Sequence, residues 1–259
     1  MFLSQISELS GMSKGYWDNS SITTRIKRVY KKGGLLFLIK SGFGVLWRSV
    51  KYPFLHYWFN HISKLGVFLF NGREYAYFAN IYNTTWQNER VVEIPIASRV
   101  LAEHKGERIL EVGHVLGHYT EVSHDVLDKY ELSEGVINED VATFAPQEKY
   151  DFIISVSTME HVGWDEEPRD PEKVIKSFDN LKNNCLKKGG TIMVTIPVDW
   201  NPSLDDHVRS GRIKFDEIYY LAKNERGKWS EVDERVALNL KYDRTVPSAR
   251  AIYLGFIRG

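Results

Sequence analysis

The chain of 259 residues contains a single cysteine, Cys185. A lone thiol excludes an internal disulfide and a zinc site built from thiolates, and it points to a reducing compartment. Acids are missing from one long stretch: residues 19–73 carry ten basic side chains and neither Asp nor Glu. The whole chain holds 34 Lys+Arg and 34 Asp+Glu, so the remainder has ten more acids than bases. A uniformly basic or acidic protein is excluded. So is a disordered one, since 43% hydrophobic and 13% aromatic residues suffice for a full core. Unbroken apolar runs are scarce as well. Lys40, Arg48, Lys51 and Lys64 interrupt residues 35–70 before any run reaches the ~18 residues that span a bilayer. The opening MFLSQISELSGMSKGYW lacks the charged start and apolar run of a secretory signal. A cytoplasmic location follows as the expectation.

The acid-free stretch is rich in other things. Ten aromatic residues fall within 35–70. Wound at helical pitch, Lys40, Ser41, Gly44, Arg48 and Lys51 share an arc of roughly 100°, with Phe37 as the apolar intruder and aliphatic and aromatic residues filling most of the rest. Pro53 ends or kinks this helix, and a second apolar stretch begins at Phe54. Such a pattern suits peripheral docking on an anionic membrane surface, here the inner face. The second reading, ranked below it, is a pair of helices packed on the following domain with solvated lysines. Nucleic acid ranks below both, because the aromatics lie on the broad apolar face and not beside the charges. The sequence therefore divides into a basic amphipathic helical segment over residues 1–65 and a domain over 66–259. It is silent on oligomeric state.

Residues 67–70 and 74–78 flank Asn71-Gly72, a hairpin signal. Asn83-Thr84-Thr85 reads as a turn capping a helix over 87–104, with Pro95 bending it and Glu89, Arg90 and Glu93 near the front of the following strands. From Arg108 the pattern changes to short apolar strands: 108–112, 152–156 and 191–196, the last two separated by a helical stretch at 171–186. This is the signature of a parallel sheet, whose ligands bind beyond the carboxyl ends of the strands. Residues 229–235 read as a mixed-charge solvated face.

The series ERILEVGHVLGHY, HDVLDKYE, GVINEDV, KYDFIISVSTMEHVGW and LKKGGTIMVTIP resembles the ordered motifs of class I S-adenosylmethionine-dependent methyltransferases, in particular a small-molecule branch with a Glu-His pair after the fourth strand. The resemblance covers residues 107–197, with 251–258 as the final strand. It implies an α/β fold: a Rossmann-like, mostly parallel seven-stranded sheet with short early crossovers, preceded by the amphipathic helices and the hairpin. It also implies S-adenosylmethionine as cofactor. Glu111 matches the acid that holds the cofactor's amino-acid end, and Gly113 and Gly117 the loop glycines that let backbone approach it. Asp128 matches the ribose acid, Asp140 the acid that reads the adenine amino group, and Ser155 and Ser157 the strand end beneath the methylthio group. The family's middle loop glycine is Val115 here, between His114 and Leu116. The first crossovers are short, which leaves Asp125 a rival to Asp128.

Methyl transfer to a hydroxyl requires alignment and removal of a proton. Glu160 and His161 stand where an acceptor would meet the methyl group, and His161 titrates in the useful range. Its two readings are general base and loop packing. Trp164, Asp165, Trp200 and Asn201 could line an acceptor pocket or pack their loops. His114, His118 and His124 with Glu111 and Asp125 imitate a metal site by residue type only, and no metal is expected. The Gly113-x-x-x-Gly117 spacing lacks the dinucleotide fingerprint, which disfavours a nicotinamide cofactor. The expected function is O-methylation of a small-molecule, sugar or lipid-linked acceptor near a membrane. The alternative is a catalytically silent, membrane-associated binding module on the same fold.

Overall fold

The computed structural model describes residues 51–55, 57–58, 66–245 and 247–259. The amphipathic wheel of residues 35–51, and with it the membrane-docking expectation, lies outside the described residues apart from Lys51. The described residues fall into two units: one includes residues 51–55 and Ala79–Thr85, the other Gly66–Phe78 and Trp86–Gly259. In the first, residues 51–55 are helical across Pro53. Phe54 and Trp58 pair with ring centres 6.1 Å apart, both substantially exposed. No helix among the described residues is long and apolar enough to cross a membrane.

The second unit opens with the expected hairpin. Strands β1 (Val67–Phe70) and β2 (Arg73–Ala76) pair antiparallel around Asn71 and Gly72, both at positive φ (48° and 70°), the pattern that matches strand twist. Helix α1 (Arg90–Glu103) follows and contains Pro95. The cap differs from expectation. Asn83 and Thr84 adopt left-handed φ of 53° and 43°, and it is Asn88 Oδ1 that accepts the Arg90 N–H at 3.1 Å.

The main sheet is built from β3 (Ile109–Val112), β4 (Asp125–Leu127), β5 (Val136–Ile137), β6 (Tyr150–Val156), β7 (Leu186–Pro197), β8 (Glu217–Lys223), β9 (Trp229–Glu231) and β10 (Ala251–Arg258). Its order is β5-β4-β3-β6-β7-β10-β8-β9. The five strands from β5 to β7 are mutually parallel, and β10 runs antiparallel between β7 and β8. The first seven strands of that order form the mostly parallel, Rossmann-like sheet expected from the sequence. The eighth is a correction. Residues 229–231 form the edge strand β9, in which Trp229 is only 3% exposed, while Ser230, Glu231 and residues 233–235 are exposed as the expected solvated face.

Residues of β3, β6 and β10 are buried nearly throughout, and those of β7 from Ile192 onward, as strands covered on both faces require. Helix α2 (Lys173–Asn180) and the π-helical turn Leu181–Cys185 carry the chain from β6 to β7. Val174, Phe178 and Leu181 anchor this crossover in the core. Cys185 is fully buried, and burial pushes its thiol up to about 11, so it is inert. Helices α3 (Pro202–Arg209) and α4 (Glu234–Leu238) flank the far half. The β3–β4 connection contains one short 3-10 turn, Leu116–His118, and no α-helix. A cavity of about 450 Å³ opens beside it, lined by Ser98, Lys105, Arg108, Leu116, His124 and Asp125. Asp125 begins β4, which puts this cavity at the amino-terminal edge, away from the strand ends where such sheets bind ligands.

Candidate active site

Strand order reverses at β3: β4 and β5 lie on one side, β6 and β7 on the other. The chain leaving β3 runs to one side and that leaving β6 to the other, which makes this the switch point beyond whose carboxyl ends such sheets bind ligands. Gly113, directly after β3, has φ of 88°, and a Cβ there would lie 2.1 Å from Thr158 Oγ1. Only glycine satisfies both the backbone and this close approach. Ser157, directly after β6, takes a left-handed φ of 39° without being glycine. Its N–H donates to Thr195 O (2.9 Å), and its hydroxyl donates to Glu93 Oε1 (2.6 Å). Backbone held this way costs about 1–3 kcal/mol and tends to sit at functional centres.

The acids picked out from the sequence end successive strands. Glu111, fully buried in β3, accepts on Oε1 from Val115 N (2.9 Å) and Leu116 N (2.7 Å), and Oε2 meets His124 Nε2 at 2.9 Å. It therefore organises the glycine loop. Val115, where the family has glycine, has φ of −103°, open to any residue. Gly117 leaves room for a neighbouring side chain, since a Cβ would meet His114 Nε2 at 2.3 Å. Asp128 follows β4 and accepts from Tyr130 N and Glu131 N on Oδ1 and from His114 N on Oδ2. Asp125 begins the same strand at the opposite edge, bound to Arg108 and Tyr150. Of the two, Asp128 is thus the one beyond the carboxyl end.

Asp140, beyond β5, accepts Lys173 Nζ (2.6 Å) and Lys129 Nζ (2.9 Å) on Oδ2 and Ala142 N on Oδ1. The same lysines reach Glu166 at 2.5 and 3.0 Å, closing a ring of alternating charges. Burial works against the Asp140 carboxylate, but the two lysines overcome it and bring its pKa down to about 2. Glu111, Asp128 and Asp140 each keep one oxygen with a single protein donor.

Ser155 is buried in β6 and donates to Val112 O (2.9 Å), tying β6 to the end of β3. Beyond the strand, Glu160 is 1% exposed, and its Oε2 has no hydrogen-bond partner. Burial pushes its pKa up to about 8, partly offset by His161. His161 Nδ1 donates to Asp165 Oδ2 at 2.5 Å, and its Nε2 lies 3.7 Å from Glu160 Oε1. Burial lowers the imidazole pKa, yet Asp165 and Glu160 raise it above the ordinary value. Trp200 packs edge-on to His161 at 5.2 Å, and Tyr242 edge-on to Trp200 at 4.8 Å. Asn201 caps α3 by accepting Leu204 N and donates to Glu160 O, so it is a framework residue.

Behind this pair lies a buried cluster reached from α1. Glu93 is 0% exposed and gathers Ser157 Oγ, Thr195 Oγ1 (2.7 Å) and Arg90 Nη1 (2.7 Å). Glu89 accepts Ala249 N, and burial and Glu93 raise its pKa. The sequence put Glu89, Arg90 and Glu93 near this front but did not connect Glu93 to Thr195, 102 positions away. It also missed the pairing of His161 with Asp165, although their i,i+4 spacing carried the signal. Lys129, Lys173 and Tyr242 had no local signal at all. Among the described residues no three His, Cys, Asp or Glu are grouped to hold a metal.

No family model and no curated protein matches the chain. Solved structures do. A SAM-dependent methyltransferase from Archaeoglobus fulgidus is 16% identical over 65% of this chain and 93% of its own, with a TM-score of 0.41. N-methyltransferase NodS from Bradyrhizobium japonicum, in complex with S-adenosyl-L-homocysteine, is 10% identical over 67% and 94%, at 0.39. A SAM-dependent methyltransferase and possible histamine N-methyltransferase from Thermotoga maritima is 15% identical over 61% and 86%, at 0.35. Likenesses of this size do not identify what the chain does.

Proposed function

We propose that the chain is an S-adenosylmethionine-dependent methyltransferase that methylates an oxygen of a small-molecule, sugar or lipid-linked acceptor. The observation that carries this reading is the His161–Asp165 pair beyond β6, at the same carboxyl-end edge of the sheet as Glu111, Gly113 and Asp128. The cofactor supplies a methyl group activated on a sulfonium. The residues fit it: Asp128 Oδ2 and Asp140 Oδ1 each have acceptor capacity left, suited to ribose and adenine donors, and Glu111 Oε2 suits the amino-acid end. Ser155 and Gly117 shape the strand end and the loop around it.

His161 takes the proton from the acceptor hydroxyl at Nε2, while Asp165 fixes the ring through Nδ1 and stabilises the imidazolium. Glu160 Oε1 lies 3.7 Å from this nitrogen, and together with Asp165 it favours the imidazolium that forms. The basic segment of residues 19–73 brings the enzyme to an anionic membrane surface where such acceptors reside.

Calorimetry with S-adenosylmethionine and S-adenosylhomocysteine tests the first step: both bind to the full chain, and binding neither sinks the reading. For the base, His161→Ala lowers turnover about 10²- to 10⁴-fold with the S-adenosylhomocysteine affinity unchanged. Undiminished turnover in a folded variant removes His161 from the chemistry. Liposomes containing phosphatidylserine retain the full chain at low salt if the basic segment docks as proposed.

A further inference from the structure

Two arginines beside the histidine pair are held in the same unusual way. Arg169 donates from Nε to Trp164 O (2.8 Å), with its guanidinium carbon 4.1 Å from the centre of the Trp164 ring. Arg244 donates from Nη2 to Asp199 O (2.9 Å) and Trp200 O (3.3 Å), and lies 5.8 Å from the Trp200 ring and 5.9 Å from that of Tyr242. Each is anchored by tryptophan carbonyl and tryptophan face, on the loops that follow β6 and β7. Both are exposed.

Neither forms a salt bridge among the described residues. Among the described residues six other exposed arginines do, Arg73, Arg99, Arg108, Arg209, Arg212 and Arg258, whereas the exposed Arg226, Arg235 and Arg250 have neither a salt bridge nor a stacked ring. Two acids on the same loops have other partners. Asp165 holds His161, and Asp199 takes Lys241 Nζ (2.8 Å) and Tyr242 N (3.1 Å). Two cations outside any salt bridge among the described residues are therefore held on the tryptophans next to the candidate base. Asp165 directly follows Trp164, and Trp200 packs on His161.

A stacked guanidinium is already ordered and weakly hydrated, and its remaining N–H groups suit two oxygens of one oxyanion. We propose that Arg244 and Arg169 form a rim that selects acceptors bearing an oxyanion, phosphate or carboxylate, near the group to be methylated. That this oxyanion belongs to a methyl acceptor rests on the reading of His161 as the acceptor end. The anion site itself does not depend on it.

The full chain is titrated calorimetrically at low ionic strength with phenyl phosphate, benzoate and benzamide, and separately with S-adenosylhomocysteine. The oxyanion that fits, phosphate or carboxylate, binds at least about tenfold more tightly than the neutral amide. Arg244→Gln and Arg169→Gln each weaken it by a similar factor, Arg244→Lys gives an intermediate affinity, and S-adenosylhomocysteine binding is unmoved. Benzamide binding as well as both anions, no binding by either anion, or glutamine variants that bind like the parent would each overturn the proposal. Arginine-dependent anion binding without any S-adenosylhomocysteine binding would leave the anion site standing and remove the methyltransferase reading. The reverse result would remove only the anion site.

Discussion

Past β4 and β5, Lys129 and Lys173 alternate with Asp140 and Glu166, so every charge meets two of opposite sign. Past β6, three carboxylates, Glu89, Glu93 and Glu160, are buried around one arginine, Arg90. In the balanced ring the acids are easier to ionise than usual, and in the unbalanced cluster Glu89 and Glu160 are harder. Opposite titration behaviour thus arises within one sheet from charge count and burial. The ring fastens loops together. The unbalanced cluster holds the Glu160 carboxyl harder to ionise than usual beside the His161 imidazole.

The comparison breaks most sharply at Glu93. Glu93→Ala strips Ser157, Thr195 and Arg90 of their shared acceptor and leaves a buried arginine unpaired, so stability falls by about 3–5 kcal/mol. Chemical denaturation measures this, and a loss under about 1 kcal/mol would mean that the cluster is not organised around Glu93. Glu160 sharpens the contrast next. Its folded pKa of about 8 exceeds its ordinary 4.5, so its contribution is full below pH 4.5 and is lost as pH rises through 8. Wild type should fall by up to about 4 kcal/mol relative to Glu160→Gln across that window. Parallel stability curves for the two would contradict a raised pKa. The smallest effect belongs to the ring. Asp140 has its pKa lowered from 3.8 to about 2, so its contribution is present above 3.8 and lost as pH falls through 2. Asp140→Asn should flatten the acid limb by about 1–2 kcal/mol, reduced by partial exposure of the lysines. An unchanged acid limb would show that the ring is loose in solution.

Apolar runs made the central strands legible, and β10 coincides with the expected 251–258. Asn71-Gly72 announced the hairpin because few other pairs tolerate two positive φ values. The edge strand β9 escaped because three residues, Trp-Ser-Glu, are too few to show alternation. Within the candidate site, Glu111, Asp128 and Asp140 were picked out by motif, and they lie at or beyond the carboxyl ends of β3, β4 and β5. Their occupied hydrogen bonds were invisible, because their donors come from loop backbone and from lysines whose positions follow no pattern. Arg169 and Arg244 were passed over for a related reason. An arginine near a tryptophan in sequence is ordinary until geometry shows it stacked and unpaired.

The position of β10 also governs how the sheet is assembled. It follows β8 in the chain yet lies between β7 and β8, so those two strands have no direct pairing to hold them. Until residues 251–258 arrive, β7 and β8 each present an open edge with unpaired backbone groups. During synthesis, the half of the sheet from β5 to β7 can form first while β8 and β9 wait as a detached ribbon. A chain stalled before Ala251 would expose two adhesive edges at once, the condition that invites capture by another copy or by a chaperone.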